Sequence, residues 1–132
     1  MKSDHKILEK ELSYKIYGVF IKVGRDYGYN LKEEVYQKAC EEELEATKIK
    51  YKAKPTIPVL SKKTGKVMGN LFPDIVVEDK ILVEIKALKN LKQEAEDQLI
   101  KYLELSKYEV GYLVNFGRPY TEIIRKVYSN NK

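Results

Sequence analysis

The side chains best suited to chemistry lie close together in the chain, in Phe72-Pro73-Asp74-Ile75-Val76-Val77-Glu78-Asp79-Lys80-Ile81-Leu82-Val83-Glu84-Ile85-Lys86. Two aliphatic runs flank Glu78-Asp79-Lys80, which reads as a tight turn between strands. With three residues in the turn, Val77 faces Ile81 and Asp74 faces Glu84. Side chains alternate along a strand, so Phe72, Asp74, Val76, Leu82, Glu84 and Lys86 share one face. Ile75, Val77, Ile81, Val83 and Ile85 share the other, and their β-branched character marks it as core. On the first face two carboxylates oppose each other, with Cβ atoms about 5 Å apart. Such a pair repels unless a cation lies nearby. Lys86 supplies one positive charge, and a divalent ion would supply more. Mg²⁺ takes hard oxygen ligands, commonly one or two carboxylates with waters and phosphate oxygens. Asp74, Glu84 and the Ile85 carbonyl would suit it. The same pattern also fits an ordinary solvated hairpin face, where Asp, Glu and Lys are common. A turn one residue shorter or longer would place Asp74 and Glu84 on opposite faces.

The elements that must position this hairpin follow from periodicity. Residues 5–26 read as a helix, with Leu8, Leu12, Ile16, Val19, Phe20 and Val23 on one apolar face. Gly28 and Asn30 break it, since both tolerate positive φ. A second helix is expected over residues 31–47, with Leu31, Val35, Ala39 and Leu44 inward. Residues 51–60 look extended, and Pro55 and Pro58 suggest an edge strand. A turn at residues 61–66 leads into strands at 67–77 and 80–87. A helix over 91–106, a buried strand at 110–116 and a short strand at 122–128 complete the order ααβββαββ, an α/β sandwich with a mixed sheet.

Composition narrows the classes. The 132 residues suffice for one domain, 1–132, with its own core. Cys40 is the sole cysteine, which excludes an internal disulfide and any multi-cysteine metal site, and its setting reads as a buried small hydrophobe. His5 is the sole histidine, so a histidine general base or a histidine-rich zinc site is not expected. No apolar run approaches membrane-spanning length, and the start MKSDHKILEK lacks the apolar stretch of a signal peptide. A reduced, cytoplasmic protein is expected. The net charge of +5 favours an anionic partner. From Lys48 to Lys66, both included, the chain carries seven lysines and no acid. Lys52, Lys54, Lys62, Lys63 and Lys66 could track a phosphate backbone, or could simply guard a solvated hairpin edge.

Pro73-Asp74, followed across a hairpin by Glu84-Ile85-Lys86, resembles the signature of the PD-(D/E)XK nuclease superfamily. Gln98-Leu99-Ile100-Lys101-Tyr102 resembles the QxxxY motif that its helicase-associated exonucleases carry on the next helix. Glu33-Glu34-Val35-Tyr36 after Gly28 resembles the motif of the small GxxExxY-type family within that superfamily. Val110-Gly111-Tyr112-Leu113-Val114-Asn115-Phe116-Gly117 is similar to that family's closing strand. One departure is Asn30, where the family often has a second glycine.

The resemblance implies a restriction-endonuclease-like sandwich, a mixed central β-sheet flanked by helices. It implies a metal-dependent nuclease, a hydrolase of phosphodiester bonds in nucleic acid, with DNA the expected substrate and Mg²⁺ or Mn²⁺ the cofactor. Asp74, Glu84 and the Ile85 carbonyl would bind the metal, with Glu33 reaching it from the second helix. Lys86 would orient the attacking water and offset phosphate charge. Gln98 and Tyr102 would fix the lysine, the water or a phosphate. Tyr36 reads as a helix-packing residue. The superfamily also contains inactive members, so a non-catalytic nucleic-acid-binding or protein-interaction module is the alternative. No sequence-reading segment is recognisable, which leaves specificity to a homodimer or a larger protein partner.

Overall fold

The computed structural model describes residues 9–129; His5 and Leu8 lie outside them. Three helices, α1 (Lys10–Tyr27), α2 (Glu33–Ala46) and α3 (Gln93–Leu105), accompany seven strands. These are β1 (Tyr51–Ala53), β2 (Ile57–Leu60), β3 (Val67–Leu71), β4 (Ile75–Val77), β5 (Ile81–Lys86), β6 (Val110–Asn115) and β7 (Glu122–Val127). The main sheet has the order β1-β4-β5-β6-β7. Only β5 and β6 run parallel, and α3 makes their crossover; the other neighbours are antiparallel. Strands β2 and β3 form a separate two-stranded ribbon.

The element order therefore differs from the expected one, because two long extended segments each break in two. Between β1 and β2, Lys54 takes a positive φ of 51° immediately before Pro55. Between β3 and β4 stands Pro73, which has no N–H for a ladder and restricts Phe72 before it. Each break sends one half to the main sheet and the other to the ribbon.

The β4–β5 register is the one read from the sequence: Val77 pairs with Ile81, Val76 with Leu82 and Ile75 with Val83. Glu78 and Asp79 both adopt positive φ, 51° and 53°, and the Lys80 N–H closes the turn on the Val77 carbonyl at 2.9 Å. Both sheet faces are covered. Ile75, Val77, Ile81, Val83 and Ile85 pack under α1 and α2 with Ile16, Phe20, Tyr36 and Leu44. Val76 and Leu82, on the opposite face, join Leu99, Leu103 and Leu113 in a second core under α3. Gly111 permits that close docking, since a Cβ there would stand 2.8 Å from the Leu99 side chain.

Helix α2 keeps Ala39 and Leu44 of the expected inward face but not Leu31 and Val35. Leu31 and Val35 are exposed, whereas Tyr36, Gln37, Ala39, Cys40 and Leu44 are buried. Tyr36 takes the inward position because its ring stacks on Phe116 at 4.5 Å. Its hydroxyl donates to the Gly28 carbonyl at 2.7 Å and accepts the Leu31 N–H at 3.2 Å, tying the preceding loop to the helix.

Candidate active site

Asp74 enters β4 just after Pro73, and Glu84 sits near the end of β5. Their strands lie side by side, so the Glu84 carboxylate reaches the Asp74 backbone at the end of the hairpin remote from its turn, close enough for the Asp74 charge to act on it. Glu84 Oε1 accepts the Asp74 backbone N–H at 3.2 Å, which also reaches the Val83 carbonyl at 3.2 Å. Asp74 Oδ2 accepts the Ile85 N–H at 2.6 Å, and Oδ1 accepts the Lys54 ammonium at 2.8 Å. Both Asp74 oxygens therefore have strong donors. Glu84 is less well served. It is only 7% exposed, and burial, reinforced by the Asp74 charge, pushes its carboxyl up to about 8. Lys86, the Asp74 N–H and Lys54 pull the other way.

A cleft of about 430 Å³ opens beside Asp74, lined by Glu33, Gln37 and Glu41 of α2 together with Lys54, Asp74 and Ile85. Residues 33, 37 and 41 are one helical turn apart, so they share a face. Gln37 is buried and bridges helix to strand. Its Nε2 donates to the Asp74 carbonyl at 2.9 Å and to Glu41 Oε2 at 2.9 Å. Both partners are acceptors, which fixes the amide orientation. Gln37 Oε1 is then buried with no hydrogen-bond partner among the described residues. Burying an unsatisfied acceptor costs about 1–3 kcal/mol.

These features fit a divalent cation. It would give the buried glutamine oxygen and the Glu84 carboxylate a positive partner, and would compete with Lys54 for Asp74. Among the described residues, no three His, Cys, Asp or Glu side chains gather as a ready-made cation cage. Mg²⁺ does not need one, because it commonly keeps several waters and takes one or two carboxylates.

The sequence-derived site residues divide into groups. Glu33, Asp74, Ile85 and Lys54 line the same cleft, whereas Glu84 and Lys86 do not; Glu84 is tied to it only by the hydrogen bond from the Asp74 amide. Lys86 lies two residues beyond Glu84 on β5 and acts on its charge. Gln98 and Tyr102 do not line the cleft; they hydrogen-bond each other at 3.0 Å along α3, and Tyr102 leans on the α3 core. Lys62, Lys63 and Lys66 are exposed around the tip of the β2–β3 ribbon. Lys52 lines a separate cavity of about 670 Å³ along β1, which shares no residue with the cleft. Gln37 and Glu41 were not anticipated, although their spacing from Glu33 was a usable signal. Lys54 was anticipated only as a backbone-tracking lysine, and its ion pair with Asp74 is a contact between distant segments.

A comparison with curated proteins finds no match. Among solved structures, the chain is similar to an alkaline exonuclease (LHK-Exo) from Laribacter hongkongensis. The identity is 13% and the TM-score 0.52, over 96% of this chain and 74% of that one. At that identity the likeness concerns the fold. The model of the PD-(D/E)XK nuclease superfamily matches residues 10–127, nearly the whole sequence, and it does so across the elements that carry Glu33, Asp74, Glu84 and Lys86; the chain belongs to that superfamily.

Proposed function

We propose that this chain is a single-domain, Mg²⁺- or Mn²⁺-dependent nuclease that hydrolyses phosphodiester bonds in DNA. We place it in the GxxExxY-type family and expect it in the cytoplasm; among the described residues no helix is long and apolar enough to cross a membrane. The observation that carries the reading is the Asp74–Glu84 pair, closed on itself beside an acidic cleft, with Lys86 next on the same strand face.

In this reading Asp74, Glu84 and the Ile85 carbonyl hold the cation, and Glu33 meets it directly or through water. When bound, the cation acidifies a water and offsets the charge that builds on the phosphoryl oxygens. Glu84 would be held ionised beside a bound cation, whose charge would offset the cost of burying the carboxylate. Lys86 aligns the attacking water and adds a positive charge beside the phosphate. Lys54, released from Asp74, turns to a phosphate oxygen, and Lys52, Lys62, Lys63 and Lys66 follow the strand further out. Gln98 and Tyr102 meet the strand or steady Lys86 from the exposed side of α3.

A second reading, a non-catalytic nucleic-acid-binding or protein-interaction module on the same fold, is favoured by the Lys54 ammonium that already occupies Asp74 Oδ1. The deciding experiment incubates purified protein with labelled DNA and RNA in Mg²⁺, Mn²⁺ or EDTA, beside Lys86→Ala. Metal-dependent cleavage that Lys86→Ala abolishes while keeping a metal-induced melting shift supports the nuclease. Neither cleavage nor a melting shift for the wild type supports the binding module.

A further inference from the structure

A second cavity, of about 460 Å³, lies where the loops after β5 and β6 meet the loop before α2. It shares no residue with the acidic cleft. Its walls nevertheless continue directly from the site: Asn30 and Leu31 lead into Glu33, and Ala87 follows Lys86. The two cavities have opposite electrostatic character. Four acids line the cleft, Glu33, Glu34, Glu41 and Asp74. No acid lines the second cavity, which instead carries Lys89 and Arg118.

Arg118 is held rather than loose. Its guanidinium lies 5.1 Å from the Tyr120 ring centroid, and Nη1 donates to the Lys89 carbonyl at 3.4 Å. The loops themselves are clamped by Asn115, which is fully buried. Asn115 Oδ1 accepts the Leu88 N–H at 2.8 Å and the Gly117 N–H at 3.1 Å, while Nδ2 donates to the Leu88 carbonyl at 2.9 Å. Gly117 is required by this crossing, since a Cβ there would stand 2.3 Å from the Leu88 backbone. Tyr29 offers a half-exposed ring at the rim. A planar cation fixed beside an ammonium recognises phosphate. An aromatic ring beside them can stack a base, but only one whose face is free.

We propose that this cavity holds an unpaired nucleotide flanking the scissile bond, its phosphate on Arg118 and Lys89 and its base on Tyr29. The inference rests on the nuclease reading for the identity of the strand. It makes a single-stranded segment or a frayed end the substrate.

The test measures fluorescence anisotropy of a six-nucleotide single-stranded DNA and of a blunt duplex of the same sequence, in EDTA so that binding is read without cleavage. Tyr29→Ala should weaken single-strand binding about tenfold, in line with loss of one stacked base, while Tyr29→Phe stays within twofold. Duplex affinity should change less than twofold in both. Lys89→Gln and Arg118→Gln should each lower the log–log salt slope by about 0.7, the loss of one single-strand phosphate contact. Lys89 is exposed, so its variant carries the electrostatic arm if Arg118→Gln melts early. Wild-type slopes and affinities in Tyr29→Ala and Lys89→Gln would overturn the subsite, as would absence of single-strand binding by the wild type. Cleavage is scored separately. Variants that bind weakly while the wild type cleaves nothing keep the subsite and remove the nuclease; variants that bind normally beside an active wild type do the reverse.

Discussion

Replacing Glu84 with glutamine isolates the electrostatic tension in the site. The glutamine oxygen can keep the Asp74 N–H that Glu84 Oε1 now accepts, and its amide can face Asp74 without repulsion. In the wild type the Glu84 carboxyl rises from 4.5 to about 8, through burial first and the Asp74 charge second. The folded state therefore holds this proton more tightly than the unfolded chain. The resulting stability is fully present below pH 4.5 and is lost as pH rises to about 8. At about 1.36 kcal/mol per unit, the gap between wild type and Glu84→Gln should change by roughly 3–5 kcal/mol across that window. Urea unfolding in EDTA, at steps from pH 4.5 to 9, measures it directly. The wild type should lose stability with rising pH more steeply than Glu84→Gln does. Saturating Mn²⁺ should restore the wild type at pH 8, by about 2.7 kcal/mol at one hundred times the dissociation constant, and should do little for Glu84→Gln. Parallel pH curves for the two proteins in EDTA would refute the assignment of Glu84 as the burdened carboxyl.

Asp74→Asn should leave metal-free melting near the wild-type value, because relief of Glu84 is offset by loss of the Lys54 ion pair; it should abolish both the Mn²⁺-induced shift and cleavage, and a persisting shift would place the cation elsewhere. Lys54→Gln should tighten Mn²⁺ binding severalfold in calorimetry, since a competing ammonium is gone, and an unchanged or weaker affinity would show that the ion pair does not compete. Reversing Lys62 and Lys63 to glutamate should weaken DNA binding broadly and flatten its salt dependence by about 0.9 per lost duplex contact, whereas an unchanged salt series would make the ribbon tip an ordinary solvated turn.

The hairpin was legible because two independent signals agreed. The β-branched set at 75, 77, 81, 83 and 85 marks one core face, although Val76 and Leu82 on the other are buried too, and the three-residue turn sets the register. The breaks in the flanking strands were only half legible. Pro73 carried a local signal, whereas the left-handed Lys54 has none in a lysine side chain and is set by its place between β1 and Asp74, whose carbonyl accepts the Lys54 N–H. The α2 face was half legible. Ala39 and Leu44 turn inward as apolarity implies and Tyr36 packs as its type suggests, whereas Leu31 and Val35 are exposed and the polar Gln37 is buried, because the Asp74 carbonyl is brought to it by the fold. Gln98 and Tyr102 do share a helical face, as their spacing implied, but spacing within α3 says nothing about where that face lies relative to the cleft.

From the sequence alone, Asp74 and Glu84 form an opposed pair that repels unless a cation lies nearby. The fold gives the two carboxyl groups different surroundings. Asp74 sits at a strand entrance, where the Ile85 amide and the Lys54 ammonium reach it. Glu84 lies deeper on the central strand, where it accepts a hydrogen bond from a backbone amide. The penalty of bringing two carboxylates together therefore falls on the buried member, while the more exposed member keeps a lysine ammonium that a metal ion can displace. A cation bound beside Asp74 would offset the charge that burial disfavours on Glu84 and so would lower the hold of Glu84 on its proton. Metal uptake should accordingly release close to one proton per ion well below pH 8, about half at pH 8 and progressively fewer above it, a dependence that proton-linked calorimetry in two buffers would detect, and that a pH-independent release would contradict.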